Sequence, residues 1–154
     1  MSNTIISTRV AQCRAGEHPL VLARMPSGFA VMNDNQPAPI AGCCVLLPDP
    51  VVPSVNDLDA NARARFMADV LLLGDAVLAA TGAERINYLI LCNIAPELHT
   101  HVIPRFGRED PAKRRQGPFE AYDYGSSPTC EPAGAHRELF ERIRSEVVSR
   151  LGSR

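Results

Sequence analysis

An α+β fold is predicted for this 154-residue chain by three features of the sequence. Short apolar runs are broken by Pro, Gly and Asn; one long stretch carries helical apolar spacing; and a second amphipathic helix lies near the C-terminus. The expected architecture is an antiparallel sheet of about five strands, with one long helix packed on it and another helix at the C-terminus. A chain of this length can bury a sizeable core and reads as a single domain over 1–154.

The runs PLVLAR (19–24) and GFAVMN (28–33) flank Met25-Pro26-Ser27 and read as a hairpin. NDNQPAPIAG (33–42) is dense in turn formers and reads as a loop. CCVLL (43–47) is an interior strand stopped by Pro48, Pro50 and Pro53. From about 58 to 81, Leu58, Ala62, Phe66, Val70, Leu73, Ala76, Val77 and Ala80 recur at three- and four-residue spacing. Asn56 or Asp57 suits the N-cap of that helix and Gly82 its stop. INYLILC (86–92) and LHTHVIPRF (98–106) are separated only by Asn93 to Glu97 and are expected to pair antiparallel. Residues 107–133 read as an extended excursion. The stripe Leu139, Ile143, Val147 and Leu151 marks a helix over 135–151.

Composition narrows the function classes. Hydrophobic residues at 45% and charged residues at 21% are ordinary for a globular domain. A formal charge of −1 supplies no basic excess for long nucleic acid, although a single nucleotide can be met locally. The five cysteines, Cys13, Cys43, Cys44, Cys92 and Cys130, form no CxxC pair and no disulfide framework, so buried thiols in a reducing compartment are expected. The start MSNTIISTRVAQC lacks the basic segment and apolar core of a signal peptide, and no run approaches the ~20 apolar residues of a membrane span. The expectation is a cytoplasmic protein with no membrane partner.

The chemically informative segment runs from Asn93 to Arg105. Strand alternation sends Glu97, His99 and His101 to one face, about 6.5–7 Å apart along the backbone, and Leu98, Thr100 and Val102 to the other. Paired imidazoles are poor core material, because each needs hydrogen-bond partners when buried. Two chemistries fit. Imidazole titrates near neutral pH and serves as nucleophile or general acid–base. Alternatively, Glu97, His99 and His101 form a 2-His-1-carboxylate metal set, which is weaker on spacing because three residues on a straight strand converge poorly. Arg105 shares the parity of the histidines and is a candidate phosphate contact. The segment 108–124, with Arg108, Lys113, Arg114, Arg115, Phe119, Tyr122 and Tyr124, reads either as a basic-aromatic flap over a nucleotide or as a solvated loop.

Glu97-Leu98-His99-Thr100-His101-Val102-Ile103-Pro104-Arg105 resembles the mark of the histidine-triad (HIT) superfamily, His-x-His-x-His and two apolar residues, often followed by Pro-Arg. Anchored on Pro104-Arg105, His99 matches the middle histidine, His101 the third, and Glu97 stands where the first would be. The order of hairpin, loop, strand, helix and final strand pair extends the resemblance over roughly 18–107, leaving 108–133 and the C-terminal helix outside it. The resemblance implies a nucleotide phosphoanhydride or phosphoramidate hydrolase, with dinucleoside polyphosphates among the candidate substrates and no cofactor. It implies that His99 attacks an α-phosphorus to give a nucleotidyl-histidine, and that His101 donates to phosphate oxygens. Asn93 matches a phosphate-contacting position, and Asn33, Asp34 and Asn35 match the loop that holds the ribose hydroxyls, Asp34 first among them. A homodimer is also implied. The departures are Glu97 itself, the absence of a Gly-Gln-Ser type phosphate segment in the final loop, and Cys43 after Gly42 where a second histidine is common. They leave a nucleotide-binding regulatory protein of the same fold as the second implied reading.

Overall fold

A computed structural model describes residues 3–153. Helix α1 (Ile5–Ala15) precedes the hairpin β1 (Val21–Met25) and β2 (Gly28–Met32), followed by β3 (Cys44–Pro48), α2 (Ala60–Thr81), β4 (Arg85–Leu89) and β5 (Thr100–Arg105). Two short helices, α3 (Pro111–Arg114) and α4 (Pro118–Ala121), lead to α5 (Arg137–Gly152). The five strands form one antiparallel sheet in the order β1-β2-β3-β5-β4, with β1 and β4 at the edges.

The hairpin turns tightly at Pro26-Ser27, with Met25 opposite Gly28. Gly28 is required there by close approach: a Cβ would lie 1.9 Å from the Leu47 carbonyl oxygen. The turn is tied to α2, because the buried Asp69 carboxylate accepts from the Ser27 amide at 2.8 Å and from its hydroxyl. The long helix starts later than its apolar pattern implies. Its N-cap is Asp59, whose side chain accepts from the Ala62 amide, while Val55–Asp57 forms a separate 3-10 turn. It ends at Gly82 in the left-handed region, as expected.

The two sheet faces are covered differently. On one, Met32, Cys44, Leu46 and Val102 pack against Phe66, Val70, Leu73 and Val77 of α2 and Phe140, Ile143 and Val147 of α5. On the other, Ile6, Val10 and Cys13 of α1 cover Phe29, Val31, Val45 and Leu47. Farther along the same face, Ile103 and Cys43 are covered by Phe106, Ala121 and Tyr122. The helix α1 is not predicted by the sequence reading. Only three of its eleven residues are buried, and Ser, Thr, Gln and two Arg make up five of the other eight. The segment 108–133 is likewise no open excursion, since it carries α3 and α4 and returns to the sheet. No helix among the described residues is long and apolar enough to cross a membrane.

Candidate active site

Because α1 and the 106–124 segment cover the same sheet face at two separate places, a cleft of about 400 Å³ remains between them. Its floor is Val45 of β3 and His101 of β5, which pair across the sheet. One wall is Ile5, Ile6 and Arg9 of α1; the other is Phe119 of α4; and residues Leu91 to Ala95 form the lip with His99. The strand pairing explains how the histidines reach it. Leu98, Thr100 and Val102 are fully buried on the opposite side, where Leu98 and Val102 meet the α2 core, so His99 and His101 turn toward α1.

The β4–β5 connection is longer than the sequence suggests. Residues 90–92 are apolar enough to read as strand, yet pairing stops at Leu89 opposite His101, and the connection runs over 90–99. His99 therefore lies just before β5 rather than within it, anchored by the fully buried Leu98, whose amide donates to the Val52 carbonyl. The His99 Nδ1 is 2.8 Å from the backbone carbonyl oxygen of Glu97. A carbonyl only accepts, so Nδ1 carries a hydrogen, and in the neutral ring the lone pair is on Nε2. Cys92 Sγ lies 3.9 Å from the same Nδ1.

The two imidazoles meet edge to face, with centroids 5.0 Å apart and planes at 81°. Phe119 closes on His101 at 4.8 Å and 77°, and Tyr124 supports Phe119 at 4.7 Å. Burial, reinforced by His99 and the Arg9 cation, drives the His101 imidazole down to about 4, so the ring is neutral at pH 7 and offers one N–H donor. Phe119 is the member of the 108–124 aromatics that enters the site. Tyr122 instead donates its hydroxyl to Glu109, and the Tyr124 hydroxyl lies 3.5 Å from Cys43 Sγ.

The structure separates the remaining candidates. Asn33 and Asn93 line the cleft with the histidines. Asp34, the first-choice ribose acceptor, is ion-paired to Arg9. Asn35 donates to the Ser127 carbonyl and its backbone bridges Thr129, which turns it into the tie between the loop and the 125–130 segment. Glu97 contributes its carbonyl rather than its carboxylate: Oε2 is buried without a hydrogen-bond partner, and neither histidine bonds to the side chain. Arg105 does not serve as a phosphate contact. It is 3% exposed, and its Nε, Nη1 and Nη2 hydrogens go to both Glu109 oxygens, Asn87 Oδ1 and the carbonyls of Lys113 and Gln116. Among the described residues no three His, Cys, Asp or Glu side chains converge as metal ligands, so Glu97, His99 and His101 do not form the metal set weighed from spacing.

Arg9, Ile5 and Ile6 are the site residues that sequence reasoning missed. The signal was present in Thr4-x-x-Ser7, a reciprocal cap, followed by Ile6, Val10 and Cys13 at helical spacing and Gly16.

No protein-family model matches the chain, and no curated protein matches it by sequence. Solved structures do match. A histidine triad protein of Bradyrhizobium japonicum superposes with a TM-score of 0.69 at 18% identity, covering 87% of this chain and 94% of that one. The chain has the histidine-triad fold. A histidine triad nucleotide-binding protein of Sulfolobus tokodaii gives 0.68 at 14% identity over 92% of both chains. A histidine triad (HIT) protein of Sinorhizobium meliloti gives 0.67 at 23% identity, covering 86% of this chain and 93% of that one. The coverage reaches past 18–107 in each case, so the likeness in histidine-triad fold is wider than the part of the sequence that carries the resemblance.

Proposed function

We propose that this chain is a nucleotide hydrolase of the histidine-triad type, with His99 as the nucleophile. The observation that carries the reading is the 2.8 Å contact between His99 Nδ1 and the Glu97 carbonyl. It selects, for the neutral ring, the tautomer whose Nε2 lone pair is available in a ring bordering the cleft, which is the state a phosphoryl acceptor needs. In the first step Nε2 bonds to the α-phosphorus, the bond from phosphorus to the leaving oxygen or nitrogen breaks, and the leaving group departs with the electron pair. In the second, water adds to phosphorus, the P–N bond breaks, and the nucleoside monophosphate leaves with Nε2 restored. His101 and Asn93, which line the same cleft, are assigned in this reading to donate to the phosphoryl oxygens as negative charge builds.

The apolar walls, Ile5, Ile6, Leu91, Ile94 and Phe119, suit a flat base. Arg9 brings a cation to the same cleft and compensates for the missing Gly-Gln-Ser segment; its release from Asp34 frees that carboxylate for a ribose diol. A homodimer is part of the reading. Met67, Leu71 and Gly74 share one face of α2, Tyr88 of the edge strand β4 packs on Gly74, and Met67, Leu71 and Tyr88 are exposed. A reducing compartment such as the cytoplasm is part of the reading, supported by the five cysteines being free thiols.

The test is acid quench of the protein with a panel of adenosine and guanosine di- and polyphosphates, followed by intact mass. The wild type is expected to carry a nucleotidyl adduct that His99→Asn lacks, with turnover lower by on the order of 10⁴-fold or more in the variant. Full turnover in His99→Asn overturns the assignment. Tight nucleotide binding without product moves the reading to a nucleotide-binding regulatory protein.

A further inference from the structure

A second, larger cleft of about 570 Å³ lies on the same sheet face as the histidines but beyond Phe119. Its floor is Arg85 and Asn87 of β4 beside Arg105 of β5, and its far wall is the 107–117 segment. Arg105 and His101 are four residues apart on β5, so the two clefts are separated by about 13 Å along the strand. We propose that this cleft is a binding site for a small multiply charged phosphate anion, independent of the histidine chemistry.

The argument starts with Arg105. Its guanidinium is consumed inside the protein, and two of its hydrogen bonds go to the carbonyls of Lys113 and Gln116. Those contacts wrap the 107–117 segment around a buried cation. Glu109 completes the wrap: its carboxylate is 4% exposed and accepts from Arg105, the Phe106 amide and the Tyr122 hydroxyl. Arg105 and Glu109 thereby neutralise each other and act as frame rather than ligand.

What the frame presents is Arg114 and Arg115 facing Arg85 across the cleft. Arg114 is paired with Glu84, whose carboxylate rests against Gly107 at the rim, and the carboxylate of the lining itself, Glu109, is bound to Arg105. Arg85 and Arg115 have no ion pair among the described residues. Two arginines without an ion pair thus line one cleft in a chain of net charge −1. Like charges brought together on a stapled segment repel, and an anion between them relieves that cost while accepting forked hydrogen bonds from both. The lining carries no aromatic side chain to stack a base, so phosphate groups rather than a nucleobase are what it selects.

The probe is inorganic tripolyphosphate, titrated calorimetrically into the full-length protein at low ionic strength, with amide NMR shifts recorded in parallel. Binding is expected in the wild type and in His99→Asn with the same affinity to within about twofold. The double variant Arg85→Gln/Arg115→Gln is expected to lose about tenfold or more, two charge-assisted contacts having been removed. Its unfolding midpoint and its nucleotide turnover at the histidine site should stay at the wild-type values. Shifts are expected at Gly107, Gln116 and Gly117. Undiminished binding in the double variant overturns the proposal, as do shifts centred on Asn93 and His99, which would assign the anion to the histidine cleft. Full turnover in His99→Asn overturns the assignment of His99 as nucleophile and leaves this proposal standing.

Discussion

Replacing Arg105 by Met separates the two roles an arginine after Ile103-Pro104 can have. In the structure its cation is the partner of a carboxylate that is itself buried, Glu109 at 4% exposure. Burial alone pushes the Glu109 carboxyl up, and the bonds from Arg105, the Phe106 amide and Tyr122 outweigh that and hold it below the ordinary carboxylate range. Removing the guanidinium strands this charge and frees the carbonyls of Lys113 and Gln116. Breaking one side of a buried pair costs about 3–5 kcal/mol. For a domain of this size that is a fall in Tm of roughly 6–20 °C. Thermal and urea unfolding followed by circular dichroism reads it directly. The double variant Arg105→Met/Glu109→Gln should cost less than the two single variants together by about 2 kcal/mol, because the pair is in contact. A midpoint within 1 °C of wild type, combined with weakened nucleotide binding, would refute the reasoning and restore Arg105 as a phosphate ligand.

Other outcomes follow from single contacts. The His101 imidazole falls to about 4 in the folded chain against about 6.5 unfolded, so the unfolded state binds the extra proton between those values. Its contribution is therefore complete above about pH 6.5 and shrinks as pH drops toward 4, by up to roughly 3 kcal/mol; urea unfolding of wild type and His101→Asn at pH 7 and pH 4.5 measures the difference. Phe119→Ala opens the His101 edge to water, and turnover should fall while the fold persists, with the His101 titration, read by NMR, moving up toward the ordinary value. Gly28→Ala should destabilise by about 1–3 kcal/mol or more, since the added carbon meets backbone at Leu47 rather than a movable side chain. Asp69→Ala leaves the Ser27 amide and hydroxyl without their acceptor and should cost about 1–3 kcal/mol in urea unfolding, with no change in turnover.

The elements that could be read from sequence are those whose burial follows one period. Phe66, Val70, Leu73 and Val77 in α2, and Ile143 and Val147 in α5, face a single core and announce their helices. The alternation of Leu98, Thr100 and Val102 likewise placed both histidines on one side. Misreadings arose where a partner lay far away in the chain. Ile90 and Leu91 look like strand interior but are exposed, because strand pairing ends at Leu89 and Leu91 begins the lip of a cleft whose opposite wall is the distant helix α1. Asp34 reads as a free acceptor until Arg9, 25 residues earlier, is folded against it. Arg105 had the right parity and the wrong destination: the acid four residues on captures it, and local alternation carries no information about such capture.

The hydrogen bond that sets the His99 tautomer comes from a residue two positions back in the same chain. Acceptor and ring therefore travel together wherever that short stretch goes, and no distant side chain must be kept to preserve the proton arrangement. A histidine wired this way tolerates wholesale turnover of its surroundings. That is one physical reason a scaffold can be held in common at 14–23% identity.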